Sequence, residues 1–113
     1  MCGFYKECHD WKEAIVYAGY LLEKNGYIDH QYINDMVNII EKNGPYIVVM
    51  PGVALAHARP NGHVYQNSIS LVTFKNGVKF GHSVNDPVRV LLALAAKSDE
   101  EHLKLFQEVA LCL

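Results

Sequence analysis

The chain has 113 residues and a net charge of −2; half of its residues are apolar and 19% are charged. That is the length of one ordinary domain, able to hide about 65% of its unfolded surface, and the composition of a globular rather than a disordered chain. No basic stripe is present for nucleic-acid phosphates, and the longest charge-free apolar stretch, Gly44 to Ala56, is broken by Pro51 and falls short of the roughly 20 residues of a membrane helix, which argues against nucleic-acid binding and direct membrane insertion.

The opening MCGFYKECHDW has no apolar h-region and carries acids early, so it reads against a secretory signal, and the expected location is cytoplasmic. Cys2, Cys8 and Cys112 form no Cys-x-x-Cys pair and read as reduced thiols. A partial metal site of Cys2, Cys8 and His9 is the other reading, though zinc sites show tighter paired spacing.

The first helix is expected from Asp10, which with Glu13 makes an acidic cap. Ile15, Ala18, Leu21 and Leu22 repeat at helical spacing, and Asn25-Gly26 stops the run. Asp29 is the cap expected for a second helix with the stripe Ile33, Met36, Val37 and Ile40, ended by Asn43-Gly44-Pro45. Tyr46 to Met50, β-branched and bounded by Pro45 and Pro51, reads as a buried strand. Ser68 to Phe74 alternates polar and apolar residues, as a strand with one covered face does. Asn76-Gly77 is a tight-turn signal that predicts a hairpin into Val78-Lys79-Phe80. Val88 to Ala96 is apolar enough for a central strand covered on both faces. Ser98 or Asp99 would cap a last helix with the stripe Leu103, Phe106 and Ala110. The order predicts an α/β (α+β) fold, a mixed sheet with helices packed on it.

Between the first two expected strands lies Pro51-Gly-Val-Ala-Leu-Ala-His57-Ala-Arg-Pro60. Two prolines stiffen its ends, so His57 would sit on a rigid segment. The small residues Ala54, Ala56 and Ala58 are expected to form a shallow patch that lets another protein approach. A neutral imidazole nitrogen is nucleophilic near pH 7 and can take a phosphoryl group, provided its other nitrogen gives its proton to a carbonyl or carboxylate. Phosphoryl transfer then needs positioning and positive charge, and Arg59 is a source of that charge. A lone histidine read from its chemistry is equally a surface residue or a hydrogen-bonded core residue.

The segments GPYIVVMPGVALAHARP, SISLVTF, FGHSVNDPV and VLLALAAKSDEEHL, in this order, resemble the mannitol–fructose type of phosphotransferase-system (PTS) enzyme IIA. GPY and NDPV look most like the ascorbate branch. The resemblance runs from about Trp11 to the C-terminus and implies a central mixed sheet flanked by helices, with no cofactor and no metal. It places the family's phosphorylated histidine on His57 and a second, stabilising histidine on His102, near a helix start whose dipole suits a phosphate. Taken from surroundings alone, His102 is as readily a solvated first-turn residue. The partners implied are the histidine phosphocarrier protein as donor and a cysteine of enzyme IIB as acceptor. A regulatory phosphohistidine module signalling carbon or nitrogen status is the alternative, and a degenerate interaction domain a third.

Three departures stand out. Ala56 replaces the proline common before the active histidine. Where some relatives carry an arginine late in the second helix, this chain reads Ile39-Ile40-Glu41, so the stabilising charge is expected either from Arg59 or to be partly missing. The chain is also expected to be a single type-2 EIIA domain over 1–113, shortened at both ends or completed by a partner subunit, a homo-oligomer included. A metal pair of His57 and His63 has no acid or thiol beside it at ligand spacing. His82 reads as a turn residue or as a lining of the site, and Asp86 as a turn-forming acid. Tyr17, Tyr20, Tyr27, Tyr32 and Tyr46 read as packing residues.

Overall fold

The computed structural model describes residues 2–3, 8 and 10–112. Its elements are β1 (Cys2–Gly3), α1 (Trp11–Glu23), α2 (His30–Asn43), β2 (Val48–Met50), β3 (Val53–Ala56), β4 (Ser68–Val78), β5 (Val88–Ala95) and α3 (Asp99–Cys112). Both N-terminal helices start where their caps predict. The Asp10 carboxylate accepts from the Glu13 amide at 2.9 Å, and that of Asp29 from the Tyr32 amide at 3.2 Å.

The strands form one mixed sheet in the order β1-β4-β5-β3-β2. β5 lies at its centre, antiparallel to β4 and parallel to β3. The pairing sorts side chains between two faces. Ala54 and Ala56 of β3, Val72 and Phe74 of β4, and Leu91, Ala93 and Ala95 of β5 are buried in the same core as α1 and α2. Small residues at 54, 56, 93 and 95 suit this face, because they let two helices lie close over the sheet. On the other face Leu55 and Leu94 meet Val109 of α3, with Ile69, Leu92, Leu105 and Phe106 half-buried around them.

Four sequence expectations change. Val53 to Ala56, expected as a connecting segment, is strand β3. Pro51-Gly52 makes a tight turn between β2 and β3, with Gly52 at φ 78°, where glycine carries no steric penalty. β2 is shorter than expected and lies at the sheet edge, with no strand beyond it among the described residues, so Val49 and Met50 are exposed rather than buried. Asn76-Gly77 makes no hairpin: β4 runs on to Val78, and its pairing with β5 shifts register between Thr73 and Val78. Gly77, at φ 73°, takes up this irregularity, and a Cβ there would fall 2.9 Å from Pro87. The strands are joined instead by the loop 79–87, in which Asp86 accepts from the Phe80 and Gly81 amides at 3.0 and 2.8 Å. Finally, α3 buries Val109 and partly buries Leu105 and Phe106, while Leu103 and Ala110 are exposed, so its inward stripe is rotated from the one expected.

Among the described residues, no helix is long and apolar enough to cross a membrane.

Candidate functional site

β3 and β5 run parallel, so their carboxyl ends lie side by side. His57 is the first residue past β3. Past β5 the chain turns at Ser98 into α3, whose first turn carries His102. Ser98 caps the helix: its hydroxyl accepts from the Glu101 amide at 3.2 Å and donates to the Glu101 carboxylate at 3.4 Å. Two histidines distant in sequence thus meet beyond the ends of two parallel strands, the place where α/β sheets commonly bind ligands.

Their rings lie 4.8 Å apart, centroid to centroid, and are tilted by 33°. Nδ1 of His57 and Nε2 of His102 are buried without a hydrogen-bond partner, the two such side-chain atoms among the described residues. The Leu55 backbone still acts on the His57 ring as a hydrogen-bond partner favouring the protonated form, so a carbonyl of the kind expected on its second nitrogen lies beside it, short of a well-formed bond at Nδ1. A buried polar atom left unpaired is costly and needs a reason, and two on neighbouring rings mark a place built for something other than stability. Burial holds both rings below the ordinary histidine value of 6.5. For His57 the charge of His102 adds to burial, and the backbone of Leu55 opposes them. For His102 the opposing charge is that of Asp99. Both imidazoles are consequently neutral near pH 7, the form that is nucleophilic.

The rings open onto a cleft of about 600 Å³. Asp35, Asn38, Ile39, Lys42 and Asn43 of α2 form one wall; Tyr46, Ala58, Arg59, Asn61 and Asp99 complete it. The Tyr46 ring stands edge-on to His57 at 6.3 Å. Arg59 reaches this cleft, but its guanidinium is 80% exposed and lies 3.9 Å from the equally exposed Asp99 carboxylate, a loose surface pair. Lys42 is a second cation on the cleft wall that the sequence reading passed over. Its signal was Asn38 and Lys42 at helical i, i+4 spacing, one turn past Asp35. Ile40 faces the core and Glu41 pairs with Lys12 at 2.9 Å, which leaves Ile39 and Lys42 to face the cleft.

Ala54, Ala56 and Ala58 are at most 5% exposed, so they are core and not the small-residue docking patch expected of them. Other sequence candidates are engaged elsewhere. His63 Nδ1 lies 2.7 Å from the Asp29 carboxylate, to which Tyr65 also donates at 3.2 Å; this ties the loop after His57 to the start of α2. His82 is a turn residue whose Nδ1 accepts from the Val84 and Asn85 amides at 3.2 and 3.0 Å, and it does not line the cleft. Among the described residues no group of three or more His, Cys, Asp or Glu is gathered as a metal site. The Cys2, Cys8 and His9 combination lies outside the described residues, since only Cys8 of the three has a described side chain.

The family profile described as "Phosphoenolpyruvate-dependent sugar phosphotransferase system, EIIA 2" matches residues 3–113. The chain belongs to that family. The ascorbate-specific PTS EIIA components of Salmonella typhimurium and Escherichia coli K12 are each 35% identical to it over 96 residues. These alignments cover 85% of this chain and 62% of each relative, so the chain spans under two thirds of the curated relatives' length. Among solved structures, the PTS IIA candidate PtxA of Streptococcus mutans superposes with a TM-score of 0.85 at 37% identity, covering 97% of this EIIA chain and 70% of that one. The mannitol-specific cryptic enzyme IIA CmtB of Escherichia coli gives 0.84 at 31%, covering 95% and 72%. The mixed sheet flanked by helices is thus the fold of mannitol-type enzyme IIA, with ascorbate-specific members among its relatives.

Proposed function

We propose that this EIIA chain is a phosphocarrier in which His57 takes a phosphoryl group from the phosphohistidine of the histidine phosphocarrier protein and passes it to a cysteine of enzyme IIB, serving uptake of a sugar or an ascorbate-like acid. The observation that carries this reading is the pair of neutral rings, His57 and His102, 4.8 Å apart at the mouth of a cleft with cations on its walls. Because Nδ1 of His57 is sealed from solvent, Nε2 is the nitrogen a partner would reach. Its lone pair forms the new P–N bond as the donor's P–N bond breaks, the leaving imidazole keeping the bonding pair. In the second step that bond breaks in turn as a thiolate sulfur of enzyme IIB forms P–S.

The transition state is loose and spreads negative charge over three oxygens, so the enzyme's part is to hold the reactants in line and to supply positive charge. Lys42 and Arg59 supply it, and His102, its ring beside that of His57, donates to a phosphoryl oxygen when the nitrogen nearer that oxygen carries the proton. No metal or organic cofactor enters either step.

The test is incubation with phosphorylated donor protein followed by mass spectrometry and transfer to enzyme IIB. One added phosphate is expected, lost in acid, kept in base, and absent from His57→Ala. A phosphorylated His57→Ala protein would overturn the assignment. A phosphate that loads on His57 but does not pass to any enzyme IIB would favour a regulatory module over a transport carrier.

A further inference from the structure

Tyr32 lies in the first turn of α2 with its side chain completely buried. Its hydroxyl donates to the Leu94 carbonyl at 2.6 Å and accepts from the Ala58 amide at 3.1 Å, with the Ala58 carbonyl 3.2 Å away. A phenol has one proton and two lone pairs, so these contacts use its proton and one of its lone pairs, and the Ala58 carbonyl can compete only for the same proton. Burial pushes the phenol up to about 12, which keeps that proton in place throughout the physiological range.

What matters is where the two partners lie. Ala58 directly follows His57. Leu94 is the last residue but one of β5, ahead of the Ser98 cap of α3, and the first turn of α3 carries His102. One oxygen from α2 therefore fastens the backbone next to His57 to the end of β5, the strand that leads into the helix carrying His102. A phenylalanine would fill the same core volume without doing this.

We propose that Tyr32 is a positioning residue for phosphoryl transfer, its hydroxyl holding the two backbone segments so that the rings of His57 and His102 keep their mutual placement. This rests on the reading of His57 as the phosphoryl acceptor. Without the oxygen, the Ala58 N–H and the Leu94 carbonyl both lose this buried partner, and the tie between the two segments is gone. Any movement at Ala58 moves His57 with it, and misplacement of a reacting group by about 1 Å can cost roughly a hundredfold in rate.

The test compares Tyr32→Phe with Ser70→Ala. The Ser70 hydroxyl is also buried and also donates to a backbone carbonyl, that of Ala18 at 2.8 Å, but it joins α1 to β4 away from the cleft. A merely structural role predicts that both variants lose some stability and transfer phosphate alike. Positioning predicts that Tyr32→Phe alone transfers phosphate about ten- to a hundredfold more slowly, at an unchanged donor concentration for half-maximal rate. It also predicts that Tyr32→Phe alone shifts the NMR titrations of the His57 and His102 rings. Wild-type transfer and unshifted titrations in folded Tyr32→Phe overturn the proposal. Should that variant not fold, hydrogen exchange in the wild-type protein decides: protection of the Ala58 amide matching that of β3 supports the tie, and loop-like exchange overturns it. If wild-type protein takes no phosphate, the functional reading fails separately, and the titration and exchange measurements still judge whether Tyr32 places the rings.

Discussion

At the scale of single residues, the site depends on keeping two imidazoles neutral and close. Burial lowers both, and the proximity of His102 lowers His57 further. NMR titration should place both midpoints below 6.5, and His102→Gln should move the His57 midpoint upward by removing that charge. Depressed histidines also bear on stability. Below the ordinary value of 6.5 the unfolded chain binds protons that the folded site refuses, so stability falls as pH drops through that value and toward the lower folded ones. Above it the two states bind alike and nothing is lost. Denaturant unfolding across this window should show the fall, and it should be smaller in a His57→Gln, His102→Gln double variant. In transfer assays His102→Ala should slow phosphate exchange without stopping it. Loss of one hydrogen bond to a charged group costs about 1.5–3 kcal/mol, or roughly ten- to a hundredfold in rate. Lys42→Ala should slow it as well, whereas Lys24→Ala, outside the cleft, should not.

At the scale of elements, the alanines before and after His57 belong to the sheet–helix interface. Ala54 and Ala56 are fully buried beneath α1 and α2, so a large side chain there must displace the core. Ala58→Trp, on the same reasoning, should destabilise the fold by overpacking, a cost of about 1–3 kcal/mol or more, and any loss of transfer would be secondary to that. Thermal melts beside the activity measurement separate the two effects. A stable variant with wild-type melting would mean position 58 has room that its burial denies. Asp29 is the other joint between elements, because one carboxylate caps α2, meets His63 and receives the Tyr65 hydroxyl. Although its burial works the other way, these hydrogen bonds hold the carboxyl below its usual value. Its contribution is therefore present above the ordinary carboxylate range and is lost as pH falls through the folded value. Asp29→Ala should cost about 1–2 kcal/mol, the usual loss for a cap, read by denaturant unfolding at neutral pH.

At the scale of the whole molecule, the two faces of the sheet are unequally covered. One carries α1 and α2 over a large shared core; the other carries α3 on Leu55, Leu94 and Val109, with Leu103 and Leu111 left exposed. Local opening follows the amount of apolar contact, so α3 should open first. Amide exchange should be faster along α3 than along β5 or α1. Since α3 carries His102, this weakness reaches the site. Val109→Ala removes one of the three buried anchors, and it should slow phosphate transfer in the direction of His102→Ala while leaving His57 able to load. Equal exchange protection in α3 and β5 would remove the basis for this expectation.

Much of this was legible in one dimension. Capped helices with 3.6-residue stripes, the alternation in Ser68 to Phe74 and the apolar run of β5 are local signals, since caps, periodicity and β-branching act between near neighbours in sequence. His57 and His102 stood out as candidates through the resemblance of four ordered segments to enzyme IIA. Local signals failed where pairing with distant strands decided the outcome. Val53 to Ala56 carries no alternation, and it is a strand because β5 lies beside it and α1 and α2 cover its alanines. Asn76-Gly77 is a sound turn signal overridden by the longer ladder of β4 with β5. Tyr32 reads in sequence as one more packing tyrosine, and Lys42 as an ordinary helix-end charge. The sequence by itself determined which residues could do chemistry and where the helices begin. Only the tertiary structure decided that the carboxyl ends of two parallel strands bring His57 against His102, that α2 adds Lys42 to the cleft wall, and that a single buried hydroxyl joins the two segments, because such contacts depend on closure across the chain and no local pattern encodes them.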